Sequence, residues 1–283
     1  MPESEGIVVE RVIPSVGTLT FEQWPVGLKM ADGEIRTREY RAYKLDGERL
    51  VSVTTLLGAV LPADGLVRWA EEQGARGAWQ LAQDNLLPVD ADEVMRSVRE
   101  HELGADAAKL KGATRGLNVH GLLEQYTRTG SPPNPADHPV EHRPYIYGLV
   151  RWLLHAKPDP VAESIEQIVC HPKLGYAGRM DLRATIDGRD LVVDAKTQPK
   201  GNIYDKALLQ VEMYRWADEY CGAGPADGTL VVVFDREGDF HEMPGVATKR
   251  TVQCAVSLHK ALKPINNALT RRARERKAEV ATA

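Results

Sequence analysis

Two aspartates and a lysine carry the chemistry most open to reading. Asp181 lies in GRMDLRATI, Asp194 and Lys196 lie in LVVDAK, and Asp187 and Gly188 stand between them. Asp-Gly between alternating apolar runs is a strong hairpin signal. A two-residue loop at 187 and 188 sets Asp181 opposite Asp194, whereas a four-residue loop sets it opposite Lys196. In both registers the three side chains share one face, because strand side chains alternate with period two. Like charges opposite one another on a sheet repel, so a cation belongs between the carboxylates. Lys196 can serve in part. Mg²⁺ or Mn²⁺ suits the place better, since these ions take oxygen ligands and commonly use one or two carboxylates with water and phosphate. The same residues also admit a solvated face in which Lys196 simply pairs with an aspartate. Asp-x-Lys alone decides little in a chain that is 27% charged.

The flanking segments add further groups. Residues 204–220, YDKALLQVEMYRWADEY, read as a helix on which Gln210 and Tyr214 are one turn apart and share a face. Tyr214 by itself reads as a core aromatic. Upstream, ATRGLNVHGLLEQYTRT at 113–129 reads as a helix with Leu117, Leu123 and Tyr126 on its apolar side and with His120 and Glu124 one turn apart. Neutral imidazole is a ligand for Mn²⁺-type ions, although a lone helix histidine is often only a satisfied polar residue. Residues 162–169 read as a strand that carries Glu166, fifteen residues before Asp181.

In order and spacing these motifs resemble the PD-(D/E)XK nuclease superfamily, in particular its RecB-like exonuclease branch. Gly175, Gly178 and Asp181 match GxxGxxD, Asp194 and Lys196 match the D/E-x-K strand, and Gln210 and Tyr214 match QxxxY. Gly116 and His120 match GxxxH, and Glu166 matches a less regular acidic position on the preceding strand. The resemblance covers roughly residues 112–220. It implies an α/β fold: a restriction-endonuclease-like core with a central mixed β-sheet flanked by helices, here with an N-terminal β/helical extension. It further implies Mg²⁺- or Mn²⁺-dependent hydrolysis of DNA, with ends favoured, in phage or bacterial recombination, repair or processing. Asp181, Asp194, His120 and the Ala195 carbonyl are then the expected metal ligands and Glu166 an outer one. Lys196 orients or activates water, and Gln210 and Tyr214 position the strand or the site. Two other readings share these residues: a DNA-binding or assembly module that does not turn over, and a site-specific endonuclease. A homo-oligomer or a recombination partner protein is compatible with each.

Composition sets outer bounds. Many members of that branch hold an iron–sulfur cluster on four cysteines. This chain has three, Cys170, Cys221 and Cys254, with no CxxC, so no such cluster is expected within one subunit and buried thiols are. The net charge of −4 is not that of a dedicated nucleic-acid binder, so any DNA contact must be local. No apolar run is long enough to span a bilayer, and MPESEGIVVE has neither the basic nor the apolar region of a signal peptide; a cytoplasmic protein without membrane contact is expected.

The elements that must position these residues divide the chain into four. Residues 1–60 form a β-rich extension, with a hairpin at Asp46 and Gly47 and a short helix capped by Ser52 or Thr54. Residues 61–110 are helical, interrupted at Gly74 and Gly77, with Trp69 and Trp79 as core aromatics. Residues 111–247 form the nuclease core, closing on the buried parallel strand TLVVVF at 229–234. Its glycines at 175 and 178 are expected to let substrate approach the backbone. Residues 248–283 form a helical tail interrupted at Pro264. The tail ends in a basic run, Arg271, Arg272, Arg274, Arg276 and Lys277, which reads equally as a phosphate contact or a solvated helix.

Overall fold

Asp46 and Gly47 both take left-handed φ, 48° and 86°, the backbone that a two-residue hairpin turn demands and that Asp-Gly supplies cheaply. This turn joins β3 (Ile35–Leu45) to β4 (Glu48–Ser52), which follow β1 (Ile7–Ile13) and β2 (Gly17–Lys29) in an antiparallel run. The chain is seen in a computed structural model that describes residues 6–29, 35–61, 64–161 and 164–282. After β4 the Ser52 hydroxyl accepts from Thr55 N–H and opens α1 (Val53–Val60). Then come α2 (Asp64–Gln83), α3 (Ala91–Glu100), α4 (Ala105–Thr129) and α5 (Arg143–Ala156). The remaining strands are β5 (Asp159–Pro160), β6 (Gln167–His171), β7 (Tyr176–Met180), β8 (Leu182–Ile186), β9 (Arg189–Thr197), β10 (Gly228–Phe234) and β11 (Phe240–Pro244). Helix α6 (Asp205–Asp218) lies between β9 and β10, and α7 (Lys249–Thr282) ends the chain.

The architecture is α/β, with two mixed sheets rather than one. The first runs β1-β2-β3-β4-β7-β6 and the second β11-β10-β9-β8-β5. The N-terminal strands are hydrogen-bonded into the first sheet, because β4 lies parallel to β7 with Val51 beside Tyr176 and Ser52 beside Ala177. The sheets part at Asp181. Residues 178–186 read as one strand, yet the chain leaves the first sheet after Met180 and enters the second at Leu182. Met180 packs into one core with α1, α6 and the N-terminal strands, while Leu182, Ala184 and Ile186 pack into the other with α4 and α5. The alternation in the sequence is real, but its apolar side serves two different cores.

Strands β9 and β10 are parallel and are covered on both faces. Val192, Val231 and Val233 face the first core, and Leu191, Val193, Ala195, Leu230, Val232 and Phe234 face the second. That double burial is why TLVVVF carries almost no polar residue.

Several expectations are corrected. Trp79 is 63% exposed and Trp69 half-buried, so neither is a fully buried core aromatic; Leu117 is exposed as well. Helix α2 runs unbroken through Gly74 and Gly77, where a Cβ on Gly77 would lie 2.9 Å from Val98 Cγ1. Gly77 lets α2 and α3 approach rather than interrupting a helix. Helix α7 continues through Pro264. The carbonyl that loses its donor there belongs to Lys260, an exposed residue. Strand β6 starts only at Gln167, so Glu166 precedes it in a bend; residues 162 and 163, at the expected start of that strand, lie outside the described residues.

Candidate metal centre

The break at Asp181 creates the site. In a strand the N–H and C=O of one residue point to the same side. The β8–β9 ladder ends at Leu182 beside Val193, which is the two-residue-loop register. Continued, it would pair Ala195 with backbone. Instead Ala195 N–H donates to Asp181 Oδ2 at 2.8 Å, and the Ala195 carbonyl lies 2.9 Å from His120 Nε2. One carboxylate thus replaces the missing strand, and one backbone carbonyl becomes available to the site.

His120 comes from α4, which lays Val119, Leu122 and Leu123 into the second core and leaves the imidazole pointing at Ala195. Its Nδ1 lies 3.3 Å from Glu166 Oε1 and 3.5 Å from Asp181 Oδ1. The ligand atoms of His120, Glu166 and Asp181 all fall within 4.8 Å of one another. The Asp181 carboxylate pushes the His120 pKa up to about 9; burial opposes this and the Glu166 hydrogen bond assists it. Glu166 holds φ at 49°, uncommon for a residue with a side chain. Its N–H donates to the Asp181 carbonyl at 3.0 Å, which fixes the bend and turns its carboxylate toward His120.

Asp194 and Lys196 project from the first-core face of β9. Lys196 Nζ donates to Asp194 Oδ1 at 2.7 Å, and Gln210 Nε2 donates to the same oxygen at 3.1 Å and to Tyr214 Oη at 3.1 Å. The carboxylate only accepts, so Gln210 must offer it the amide nitrogen. Asp194 is fully buried, and its Oδ2 has no hydrogen-bond partner among the described residues. Burial pushes its pKa up, Lys196 pulls it down and Asp181 pushes it up again, to about 6. For Lys196 burial favours the neutral amine, but Asp194 and Asp181 outweigh it and hold its pKa above the ordinary lysine value.

This donor set of one imidazole, three carboxylates and one carbonyl, with no thiolate, fits Mg²⁺ or Mn²⁺. The partnerless Asp194 Oδ2 is a further acceptor that a cation or its water can satisfy. The close cluster, however, is His120, Glu166 and Asp181. Glu166 stands inside it rather than outside, and Asp194 is tied instead to Lys196 and Gln210.

The site lies in a cleft of about 1030 Å³, with Lys196, Gln210 and Tyr214 also in its lining. Its far wall is the N-terminal sheet and the start of α1, contributing Phe21, Tyr40, Tyr43, Thr54 and Thr55. No chemistry was expected of that segment. Two arginines were also missed or left unassigned: Arg179 pairs with Glu166 Oε2 at 2.9 Å and lies over the Phe21 ring, and Arg128 donates to Glu124 at 2.6 Å on the cleft wall. Glu124 is therefore engaged by Arg128, with no bond to His120. The Arg179 signal was present in the sequence, as the neighbour of Asp181 on the same strand face.

The two glycines serve the chain itself. Gly175, at φ 80°, closes the turn from His171. A Cβ on Gly178 would sit 2.4 Å from Tyr214 Cε1, so the ring, not substrate, occupies that space. Gly178→Ala should cost about 1–3 kcal/mol by overpacking. It should also move the tyrosine off Gln210, seen as a changed near-ultraviolet circular dichroism spectrum alongside a lower urea midpoint. An unaltered spectrum and midpoint would contradict the packing. Compared with known proteins, the chain matches no family model and no curated protein sequence.

Proposed function

We propose that this protein is a Mg²⁺- or Mn²⁺-dependent deoxyribonuclease that degrades DNA from its ends, with a restriction-endonuclease-like core of the RecB-like kind. One observation carries the reading: His120, Glu166, Asp181 and Lys196 line a single cleft, with the Ala195 carbonyl against His120 and the buried Asp194 against Lys196 directly behind them. The antiparallel β8–β9 hairpin, followed by α6 and the parallel strand β10, supports the fold assignment.

His120, Glu166, Asp181 and the Ala195 carbonyl would hold the ion, with Asp194 Oδ2 as an added acceptor. A bound divalent ion supplies a water of lowered pKa and neutralises phosphate charge. Lys196, as an ammonium fixed by Asp194, stabilises charge on the phosphate as it develops. Gln210 holds Asp194 in place and Tyr214 holds Gln210; both are positioning residues. Arg179 holds the Glu166 carboxylate in its orientation.

The test is digestion of labelled linear and closed circular DNA with Mg²⁺, Mn²⁺ or EDTA. Linear DNA should be degraded only with metal, and the circle should survive. Cutting of the circle would assign an endonuclease instead, and no cleavage with any metal would favour a binding module. Lys196→Gln should lower the rate about 10²-fold while leaving Mn²⁺ binding within a few-fold, since Lys196 is not among the proposed ligands. An unchanged rate would remove Lys196 from the chemistry.

A further inference from the structure

Charge is distributed unevenly along the chain. Residues 249–283 hold nine Lys and Arg against two Glu, a net +7, so the remaining 248 residues carry −11. The acidic body repels a polyanion, and the excess positive charge lies on α7. Val252, Ala255 and Val256 bury the start of this helix in the first core, against α1 and α6. Both helices border the cleft: residues 54 and 55 of α1 and residues 210 and 214 of α6 line it. The rest of α7 continues as helix from that anchor.

Beyond that anchor, Lys260, Lys263, Asn267, Arg271 and Arg274 recur at intervals of three, four, four and three. This spacing puts them on one face of a helix. All four cations are exposed. Arg271 has Glu275 at 3.7 Å, and the other three have no acidic partner among the described residues. At about 1.5 Å per residue the stripe is about 21 Å long, roughly six phosphates of one strand of duplex DNA at about 3.4 Å each. The exposed apolar residues Leu258, Ile265 and Leu269 lie on a different face and include no aromatic, which disfavours the alternative of an anionic lipid surface.

We infer that this stripe of α7 is a DNA-backbone contact that supplies the duplex affinity the acidic body lacks. The inference rests on the nuclease reading for its choice of polyanion. It is tested by binding alone, in EDTA, where nothing is cleaved. The full chain is compared with K260Q/K263Q/R271Q/R274Q and with the off-stripe control R272Q/R276Q. Anisotropy of a fluorescein-labelled 30-base-pair duplex is followed from 50 to 200 mM KCl, with circular dichroism as the check on folding. The stripe variant should bind at least tenfold more weakly at 100 mM KCl, and its log K against log salt should be shallower by up to about 3.6, near 0.9 for each of four lost phosphate contacts. The control should lose clearly less.

Equal binding by the stripe variant, equal loss by the control, or binding to phosphatidylserine vesicles without binding to the duplex would each overturn the assignment. The nuclease reading can fail separately: intact duplex affinity with no cleavage in Mn²⁺ leaves the stripe standing and removes the enzyme.

Discussion

Asp181→Asn should abolish metal-dependent hydrolysis, by 10³-fold or more, while leaving the protein as stable as the parent. The two halves of that result have separate causes. Asparagine keeps a carbonyl oxygen that can still accept from Ala195 N–H, the bond at 2.8 Å that seals the gap between the two sheets. It relieves repulsion with Glu166 and Asp194 and gives up attraction to His120 and Lys196, so the electrostatic effects on folding largely offset one another. Metal binding, in contrast, loses the carboxylate at the centre of the close cluster. Calorimetric titration with Mn²⁺ should show affinity down by 10²-fold or more, with an unchanged melting temperature. Asp181→Ala separates the roles further: it orphans the Ala195 N–H and should cost about 1–3 kcal/mol in addition. Undiminished Mn²⁺ binding by Asp181→Asn would mean that the cluster is an ion-pair network and no metal centre.

The sequence made the local parts of this site legible. Period-two alternation and the Asp-Gly turn place Asp194 and Lys196 on one face, and the observed turn is the two-residue form. The i, i+4 spacing brings Gln210 onto Tyr214 at 3.1 Å. What stayed hidden was long-range. Periodicity reports which face of a strand is apolar; it carries no information on which core that face enters, so the crossing at Asp181 was invisible. Tyr43 and Thr54 reach the cleft only because β4 pairs with β7, more than 120 residues away. Gly178 showed a need for space but not the occupant, which is a ring from α6. Glu166 was expected on a strand because its neighbours are strand formers; its left-handed φ is imposed by hydrogen bonding to the Asp181 carbonyl, a tertiary contact.

Arg183→Ala should be strongly destabilising, at about 3–5 kcal/mol, although it lies outside the metal centre. Period-two alternation puts Arg183 on the same strand face as Asp181, where a solvated cation would contribute little. Its side chain is instead 5% exposed. It donates to Asp190, to Asp218 Oδ2 at 2.8 Å and to the Gly224 carbonyl at 3.2 Å. Asp218 is 1% exposed, and its Oδ1 already lacks a partner. Removing the guanidinium leaves that carboxylate buried and unpaired, which costs far more than the pair itself contributes. The double variant Arg183→Met with Asp218→Leu should recover most of the loss, because neither charge is then stranded. Urea denaturation of the two singles and the double measures this coupling, and the Arg183→Ala melting temperature should fall by on the order of 10 °C. The pair also fastens the end of α6 to the β8–β9 hairpin, and α6 carries Tyr214 one turn and Gln210 two turns earlier. Arg183→Ala should therefore slow hydrolysis at temperatures where it is still folded, with Mn²⁺ affinity unchanged, since none of the ligands lies on α6. A loss below 1 kcal/mol would show that the cluster is solvated, and that α6 is held by its apolar face alone.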